Sequence, residues 1–325
     1  MNLQRNRKTY EPEATGRKEN NMKKLLLGKR MESSAIAMGC MRISNMETKD
    51  AEKLIMTALE NGVQLFDHAD IYGDGKSELV FGEVLRRNPG IRQNMQIQGK
   101  VGICKGYYDA SKEHIIEAVE GSLTRLGVEQ LDSLLLHRPD ALTDPEEVAS
   151  AVRTLKDAGK IRLFGVSNHN AGQISLLKRY LPGEIAINQM QFSLAHTPMV
   201  DAGMNVNMHS EHAVVKDGGT LDFCRLNDIT IQAWSPFQHG MFEGVFLKSD
   251  KYPELNRVID ELAEKKSVAP SAIAVAWIMR HPAQIQTIVG TTNPDRLSDI
   301  CAASSISISR EEWYRLYLAA GNPLP

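Results

Sequence analysis

The sequence predicts an α/β protein that forms one closed (β/α)8 (TIM) barrel, and three observations support this fold class. From residue 36 onward, short β-rich apolar segments alternate with amphipathic helical segments, which is typical of parallel strands joined by crossover helices. Runs such as Leu134-Leu135-Leu136 are apolar at consecutive positions, as expected for strands covered on both faces. No Gly-x-Gly-x-x-Gly follows the first strand, so an open dinucleotide-binding sheet is disfavoured.

Hydrophobic periodicity gives the order of the elements. Strands are predicted at 36–39, 63–67, 95–100, 131–137, 161–166, 185–190, 229–234 and 285–289. Helices are predicted at 48–61, 76–87, 111–126, 145–158, 170–180, 217–227 and 254–267, with a C-terminal helix over 309–319. The first helix ends at Asn61-Gly62 and the last begins at Ser309, because these residue types favour helix ends and helix starts respectively.

One domain over residues 22–325 accounts for most of the chain, because no linker rich in Pro, Gly or Ser divides it. Residues 1–21 are polar and basic, so we expect a disordered tail rather than an arm that binds nucleic acid or membranes. The four cysteines are scattered singly, which predicts neither disulfides nor a zinc site. No apolar stretch is long enough to span a bilayer, and a cytoplasmic protein is expected.

Polar residues stand at the ends of most predicted strands. Because the active site of a (β/α)8 barrel is built at the carboxyl ends of its strands, these residues are the candidates for chemistry. They are Asp67, Lys100, His137, Ser167, Asn168, Gln189, Trp234 and Ser235.

Asp67, Lys100 and His137, with the nearby Tyr72, have the composition of a general acid and its supporting groups. An unpaired ammonium in a barrel mouth is costly, so we expect Asp67 to pair with Lys100. A tyrosine hydroxyl has an ordinary pKa of about 10, and an adjacent ammonium lowers that pKa. His137 can then hydrogen-bond a substrate carbonyl. Each residue alone is more often structural, but four of them at one end of a barrel indicate catalysis.

Two other patterns resemble functional motifs. Residues 70–77 nearly match the phosphate-binding Gly-x-x-x-x-Gly-Lys-Ser loop, but Asp70 replaces the first glycine, so a turn that opens the helix near Lys76 is favoured. His209 and His212 form His-x-x-His, which is compatible with a metal site. The segment 195–216 is instead favoured as a long loop over the barrel mouth, and no metal is expected.

Several runs of the sequence are shared with a known family. They are Leu-Phe-Asp-His-Ala-Asp-Ile-Tyr-Gly at 65–73, Gly99-Lys100, Leu-Leu-His-Arg-Pro-Asp at 135–140, Gly-Val-Ser-Asn at 165–168 and Asn188-Gln189. With these runs in this order over residues 25–325, the chain resembles the aldo-keto reductases. Within that family, the runs at 233–237 and 289–294 resemble the YdhF-like branch of bacterial oxidoreductases.

The resemblance implies an NADPH-dependent oxidoreductase that reduces aldehydes or ketones to alcohols. Tyr72 would be the proton donor and Lys100 the neighbour that lowers its pKa. Asp67 would pair with Lys100, and His137 would orient the carbonyl. Trp234 replaces a tyrosine that commonly stacks on the nicotinamide, and its indole offers the same flat surface. The other residues implied to bind the cofactor up to its pyrophosphate are Gly39, Cys40, Ser167, Asn168, Gln189, Ser235, Phe237, Gln238 and Gly240.

The adenosine end of the implied cofactor site distinguishes NADPH from NADH. Asn293-Pro294 predicts a helix start, and its amides with Arg296, Thr291 and Thr292 would hold an anion such as the 2′-phosphate of NADPH. Many family members carry a lysine where this chain has Gly290. The charge available to a phosphate is therefore smaller here, and NADH is the second expectation.

The expected partner is a small carbonyl substrate, without nucleic acid or membrane. Its pocket walls are expected from residues 138–143, 195–216 and the C-terminus. Two other functions are compatible with the resemblance and the fold: a regulatory or sensing barrel that binds NADP(H) with little turnover, and a barrel of unrelated chemistry. The intact set of Asp67, Tyr72, Lys100 and His137 favours the enzyme.

Overall fold

The structure is a computed structural model that describes residues 22–241 and 243–324, so the predicted tail at 1–21 lies outside the described residues. Within these ranges the chain begins with an antiparallel hairpin of β1 (Lys24–Leu27) and β2 (Met31–Ser34). Eight parallel strands then form a closed barrel. They are β3 (Ile36–Gly39), β4 (Leu65–Asp67), β5 (Gln96–Val101), β6 (Leu131–Leu136), β7 (Ile161–Ser167), β8 (Ile185–Gln191), β9 (Thr230–Trp234) and β10 (Gln286–Val289).

Helices surround the barrel. They are α1 (Thr48–Glu60), α2 (Lys76–Arg87), α3 (Lys112–Leu126), α4 (Pro145–Asp157), α5 (Ala171–Tyr180), α6 (Pro198–Met204), α7 (Thr220–Leu226), α8 (Pro253–Lys266), α9 (Pro270–Met279), α10 (Pro294–Cys301) and α11 (Arg310–Ala319). The (β/α)8 prediction is confirmed, and every predicted strand overlaps an observed one.

The helix starts follow from local chemistry. Asn293 accepts a hydrogen bond from the Arg296 amide and caps α10, with Pro294 at its first position. Ser309 and Glu312 form a capping box at the start of α11, as the sequence predicts. At the end of α1 only Gly62 adopts a left-handed conformation, with φ 77°, while Asn61 stays right-handed.

The hairpin β1–β2 is a feature that the sequence pattern does not predict. Its buried side chains Leu25, Leu27 and Met31 pack with Leu65, Leu135 and other residues in a small hydrophobic cluster. The turn at Gly28 sits so close to β8 that a Cβ there would lie 2.6 Å from the Ala186 Cβ, and its φ of 52° also favours glycine. Its amide donates to the Thr230 hydroxyl at the start of β9. Because parallel strands place their amino ends together, the hairpin covers the amino-terminal end of the barrel.

Two helices were also missed, for different reasons. Helix α9 is buried along Ala272–Ile278, so it has no polar face and no amphipathic period to detect. Helix α6 lies inside the predicted long loop 195–216, which is therefore partly helical. The Asp201 carboxylate on α6 accepts a hydrogen bond from the Tyr317 hydroxyl of α11, and this contact ties the segment to the C-terminal helix.

Candidate active site

A cavity of about 1120 Å³ opens at the carboxyl ends of the barrel strands. Most of the residues singled out in the sequence line it: Gly39, Asp67, Tyr72, His137, Ser167, Asn168, Gln189, Trp234, Ser235, Phe237, Gln238, Gly290, Thr291 and Arg296. Its volume exceeds that of a site for an ordinary small ligand, which is roughly 300–1,000 Å³. It has room for a dinucleotide and a second small molecule together.

Three residues expected at the cofactor do not line this cavity. The Cys40 side chain is fully buried with its thiol 3.7 Å from the Met38 carbonyl oxygen, and its amide donates to the Asp67 carbonyl, so its thiol and its amide are both engaged within the protein. Gly240 is buried against the side chain of Glu243, 2.4 Å from an ideal Cβ position. Thr292 is exposed and does not line the cavity that Thr291 lines. The roles of these three residues at a cofactor stay predictions.

Asp67 and Lys100 form a buried ion pair beneath the cavity. The Lys100 Nζ lies 2.6 Å from the Asp67 Oδ1 and 2.8 Å from the His68 carbonyl oxygen, and the two side chains are 3% or less exposed. Burial alone would lower the pKa of Lys100, but the attraction of Asp67 and Tyr72 more than offsets it and leaves the pKa raised. Lys100 therefore stays an ammonium, paired as the sequence predicts.

Amide side chains hold the Asp67 carboxylate from below. Oδ1 also accepts hydrogen bonds from Gln98 at 2.7 Å and from Gln189 at 3.1 Å. The chain of amides continues from Gln98 to Gln232 at 2.8 Å and from Gln232 to Gln286 at 2.7 Å. It ends where Gln286 donates to the Ser34 carbonyl oxygen of the hairpin at 2.6 Å. All four glutamines are buried, and only Gln189 is predicted from the sequence as a site residue.

Tyr72 lies in the turn between β4 and α2, with the Lys100 Nζ 5.0 Å from the centre of its ring. Gly73 follows with φ 60°, and a Cβ there would lie 2.5 Å from the Ser44 side chain, so the turn requires glycine. Burial raises the pKa of the Tyr72 hydroxyl, and the Lys100 ammonium offsets only part of that rise. The expected net lowering of this pKa is therefore wrong, although the effect of Lys100 has the expected sign.

His137 stands edge-on to Tyr72, with ring centres 5.8 Å apart and planes at 83°. Burial, together with the charges of Lys100 and Arg138, lowers the pKa of His137 to about 2. The imidazole is consequently neutral at physiological pH and carries one N–H donor. Its Nδ1 is buried and has no hydrogen-bond partner among the described residues.

The predicted nicotinamide wall is held by its own hydrogen bonds. The Trp234 indole N–H donates to the Asn168 Oδ1 at 3.1 Å, and the Asn168 amide donates to the Ser167 hydroxyl at 2.8 Å. Asn168 adopts a left-handed conformation with φ 58°, and its side chain bonds both Trp234 and Ser167. Gln189 uses its amide N–H groups on Asp67 and Gln232, so only its carbonyl oxygen is left to meet a ligand.

Other lining residues were missed because loop conformation, rather than sequence pattern, brings them to the cavity. Ile103 and Tyr108 face each other across an isolated antiparallel bridge after β5 and line the cavity with Ile71 and Met241. Residues around α8 to α10 line the other end: Lys248, Asn256, Asp260, Ala269, Pro270, Ser271, Asp295 and Asp299. No residue of 195–216 or of the C-terminal segment lines the cavity within the described residues, contrary to expectation.

The two rival motifs have structural explanations. Gly75, with φ 83°, opens α2, and the Ser77 hydroxyl donates to the Met41 carbonyl, so residues 70–77 form the predicted turn. His212 lies 3.8 Å from the Asp201 carboxylate.

In the described ranges no helix is long and apolar enough to cross a membrane.

Comparisons with known proteins agree with this geometry. The family model "Aldo/keto reductase family" matches residues 35–317. Oxidoreductase YdhF of Escherichia coli is 33% identical over 300 residues, covering 89% of this chain and 94% of that protein. A 6-dehydroglucose reductase of Agrobacterium fabrum is 31% identical over 312 residues, covering 92% and 98%. The crystal structure of an aldo-keto reductase from Klebsiella pneumoniae in complex with NADPH superposes with a TM-score of 0.75, at 25% identity, covering 93% and 96%.

Fold, cavity and relatives together define a (β/α)8-barrel oxidoreductase that uses a nicotinamide cofactor. More specifically, the chain belongs to the aldo/keto reductase family and is an NAD(P)H-dependent enzyme of that family.

Proposed function

We propose that this enzyme reduces an aldehyde or ketone to an alcohol with NADPH, and that Tyr72 donates the proton. The observation that carries the proposal is the convergence of Tyr72 and His137 at the base of the cavity above the buried Asp67–Lys100 pair. The reductase names of relatives, including one named for 6-dehydroglucose, support a carbonyl substrate.

Carbonyl reduction develops negative charge on the oxygen, and donors fixed in advance stabilise it. When bound, a nicotinamide cofactor would supply the hydride that the carbonyl carbon accepts. Tyr72 presents its O–H to the carbonyl oxygen, and the Lys100 ammonium 5.0 Å from the ring centre favours the tyrosinate left after proton transfer. Because burial raises the pKa of Tyr72, the hydroxyl stays protonated at neutral pH until a substrate accepts the proton.

His137 acts as a neutral hydrogen-bond donor to the same oxygen. Its pKa of about 2 excludes a role as an imidazolium acid near neutral pH. A neutral donor orients the carbonyl without competing with Tyr72 for the proton transfer. Two donors, from the segments that follow β4 and β6, thereby define where the carbonyl oxygen sits.

The residues that line the cavity fit the cofactor. Trp234 offers a flat ring that Asn168 holds in place, and the Gln189 carbonyl oxygen is free to accept from a carboxamide. At the far end, α10 begins at Pro294, and Arg296 has no carboxylate within 4.0 Å among the described residues. This unpaired cation at a helix start suits the 2′-phosphate of NADPH. Asp260 and Asp299 line the same end and suit ribose hydroxyls, which NADH also offers.

A Tyr72→Phe variant tests the proton donor. Loss of the acid should lower kcat for an aldehyde by about 10²–10⁴-fold while the Kd for NADPH stays within about twofold. Protein fluorescence quenching measures the Kd, and absorbance at the nicotinamide band measures kcat. Tyr314→Phe is the matched control, because Tyr314 on α11 lies outside the cavity. A Tyr72→Phe enzyme with a near-normal rate contradicts the mechanism, and a wild type that binds NADPH but reduces no carbonyl compound indicates the regulatory barrel.

An Arg296→Ala variant tests the cofactor. Loss of a charged hydrogen bond should weaken NADPH binding by about 10–100-fold and leave NADH binding nearly unchanged. The measurement is kcat/KM with each cofactor at one fixed substrate concentration. Equal losses for both cofactors, or a wild type that prefers NADH, would overturn the NADPH assignment.

A further inference from the structure

Arg138 is a cation of the cavity wall that the catalytic scheme does not use. It directly follows His137 and lines the cavity. Its guanidinium carbon lies 5.8 Å from the centre of the Trp234 ring, and Nη2 lies 3.9 Å from the Met241 sulfur. The Arg138 charge contributes to the lowered pKa of His137. The guanidinium is therefore close enough to act electrostatically on a carbonyl bound at His137.

No carboxylate among the described residues lies within 4.0 Å of this guanidinium. The nearest acid in sequence, Asp140, is engaged elsewhere: its two carboxylate oxygens accept from the amides of Ala110 and Leu142. Asp67 is neutralised by Lys100. The charge of the Arg138 guanidinium is therefore not paired with a carboxylate in the described chain and is available to a ligand in the cavity.

The positions of the other charged residues along the cavity also favour an anion at Arg138. The remaining acids that line the described cavity, Asp260, Asp295 and Asp299, belong to α8 and α10 at the adenosine end. Arg42, exposed and without an ion pair in the described chain, also lines the cavity and adds to the positive side. Apolar residues such as Ile103 also line the cavity. An anion entering this end meets cations with no competing carboxylate.

We propose that Arg138 binds a carboxylate of the substrate, so that the physiological substrates are oxo-acids, which carry an aldehyde or ketone and a carboxylate in one molecule. The inference rests on the proposed reductase function. A guanidinium offers two parallel N–H donors that match the two oxygens of a carboxylate. With the carbonyl oxygen held by Tyr72 and His137, a carboxylate on Arg138 fixes the second end of the substrate and the face presented to the cofactor.

A purely structural role for Arg138 makes a different prediction. If the guanidinium only steadies Trp234 through its ring, its loss should affect every substrate equally and should also weaken cofactor binding. The two roles separate when a charged substrate is compared with a neutral one of the same shape.

The test uses 4-carboxybenzaldehyde and its amide analogue 4-formylbenzamide, which differ in charge but hardly in size. Wild type should prefer the carboxylate in kcat/KM by about tenfold or more. Arg138→Met should lose about 10–100-fold on the carboxylate and less than about threefold on the amide, and Arg138→Lys should recover part of the loss. The Kd for NADPH should not change. Arg162→Met is the matched control, because Arg162 is exposed on β7 and outside the cavity.

A binding measurement separates failure of this inference from failure of the reductase function. The alcohols 4-(hydroxymethyl)benzoate and 4-(hydroxymethyl)benzamide are titrated into the complex with NADP⁺, where no turnover is needed. The benzoate should bind more tightly than the amide to wild type and equally to Arg138→Met. Equal affinities in wild type, equal losses for both aldehydes in Arg138→Met, or a preference for the neutral compounds overturns the proposal. Absence of all turnover with the expected binding pattern overturns only the reductase function.

Discussion

Replacing Lys100 with methionine should test how the buried ion pair supports both stability and chemistry. The variant leaves Asp67 as a buried carboxylate with only the amides of Gln98 and Gln189 at 2.7 and 3.1 Å. Losing one partner of a buried pair costs about 3–5 kcal/mol, and the remaining amide donors place the expected loss at about 3 kcal/mol. For a domain of about 300 residues, with an unfolding entropy of about 0.6 kcal/mol/K, that loss is a fall in Tm of roughly 5 °C.

The same substitution removes the group that offsets the raised pKa of Tyr72, so this pKa should rise further. Alcohol oxidation needs the tyrosinate form of Tyr72. The rate of alcohol oxidation in the Lys100→Met variant should therefore begin to rise at a higher pH than in wild type. The double variant Asp67→Asn with Lys100→Met removes both charges and should recover most of the lost Tm without recovering activity. Calorimetry and pH–rate profiles give both readouts. A single variant with the Tm of wild type, or a double variant no more stable than the single one, would refute the reasoning.

Two predictions concern stability against pH, with opposite signs. Burial lowers the pKa of His68 to about 3, so between about pH 6.5 and 3 the unfolded chain binds a proton that the folded chain does not, and stability falls with falling pH. His68→Leu should flatten this fall in thermal melts from pH 7 to 5, and an unchanged slope would contradict it. Burial raises the pKa of Asp70 to about 6, so the folded chain binds its proton more tightly between about pH 6 and 4. Asp70→Asn should therefore raise Tm by a few degrees at pH 8 and not at pH 4, and an equal gain at both pH values would contradict it.

The barrel was predictable because its strands and amphipathic helices each have a period that burial imposes. The hairpin β1–β2 escaped prediction because it packs on the barrel end as a separate short unit before the alternation begins. Helix α9 escaped because a helix buried on all sides has no period to detect. Both omissions reflect packing between elements, which a pattern along the chain does not record.

The candidate site likewise contains residues that the sequence predicts and residues that it does not. Asp67, Lys100 and His137 were found because strand ends in a closed barrel must converge. Lys100 lowers the pKa of Tyr72 as predicted, but burial leaves the net pKa raised, because the sequence reveals the charged neighbour and not the depth of burial. Tyr108 was missed because a loop bridge, not a strand end, carries it to the cavity.

The line of glutamines inside the barrel sets a limit on how this enzyme can be made more heat-resistant. Layers of branched aliphatic side chains commonly fill the centre of such barrels, whereas here amides connect the catalytic carboxylate to the covered end. Swapping Gln232 for leucine would leave buried amide groups of Gln98, Gln189 and Gln286 without their partner and would loosen the support of Asp67. Thermostabilisation is therefore better directed at the outer helices, outside this amide network.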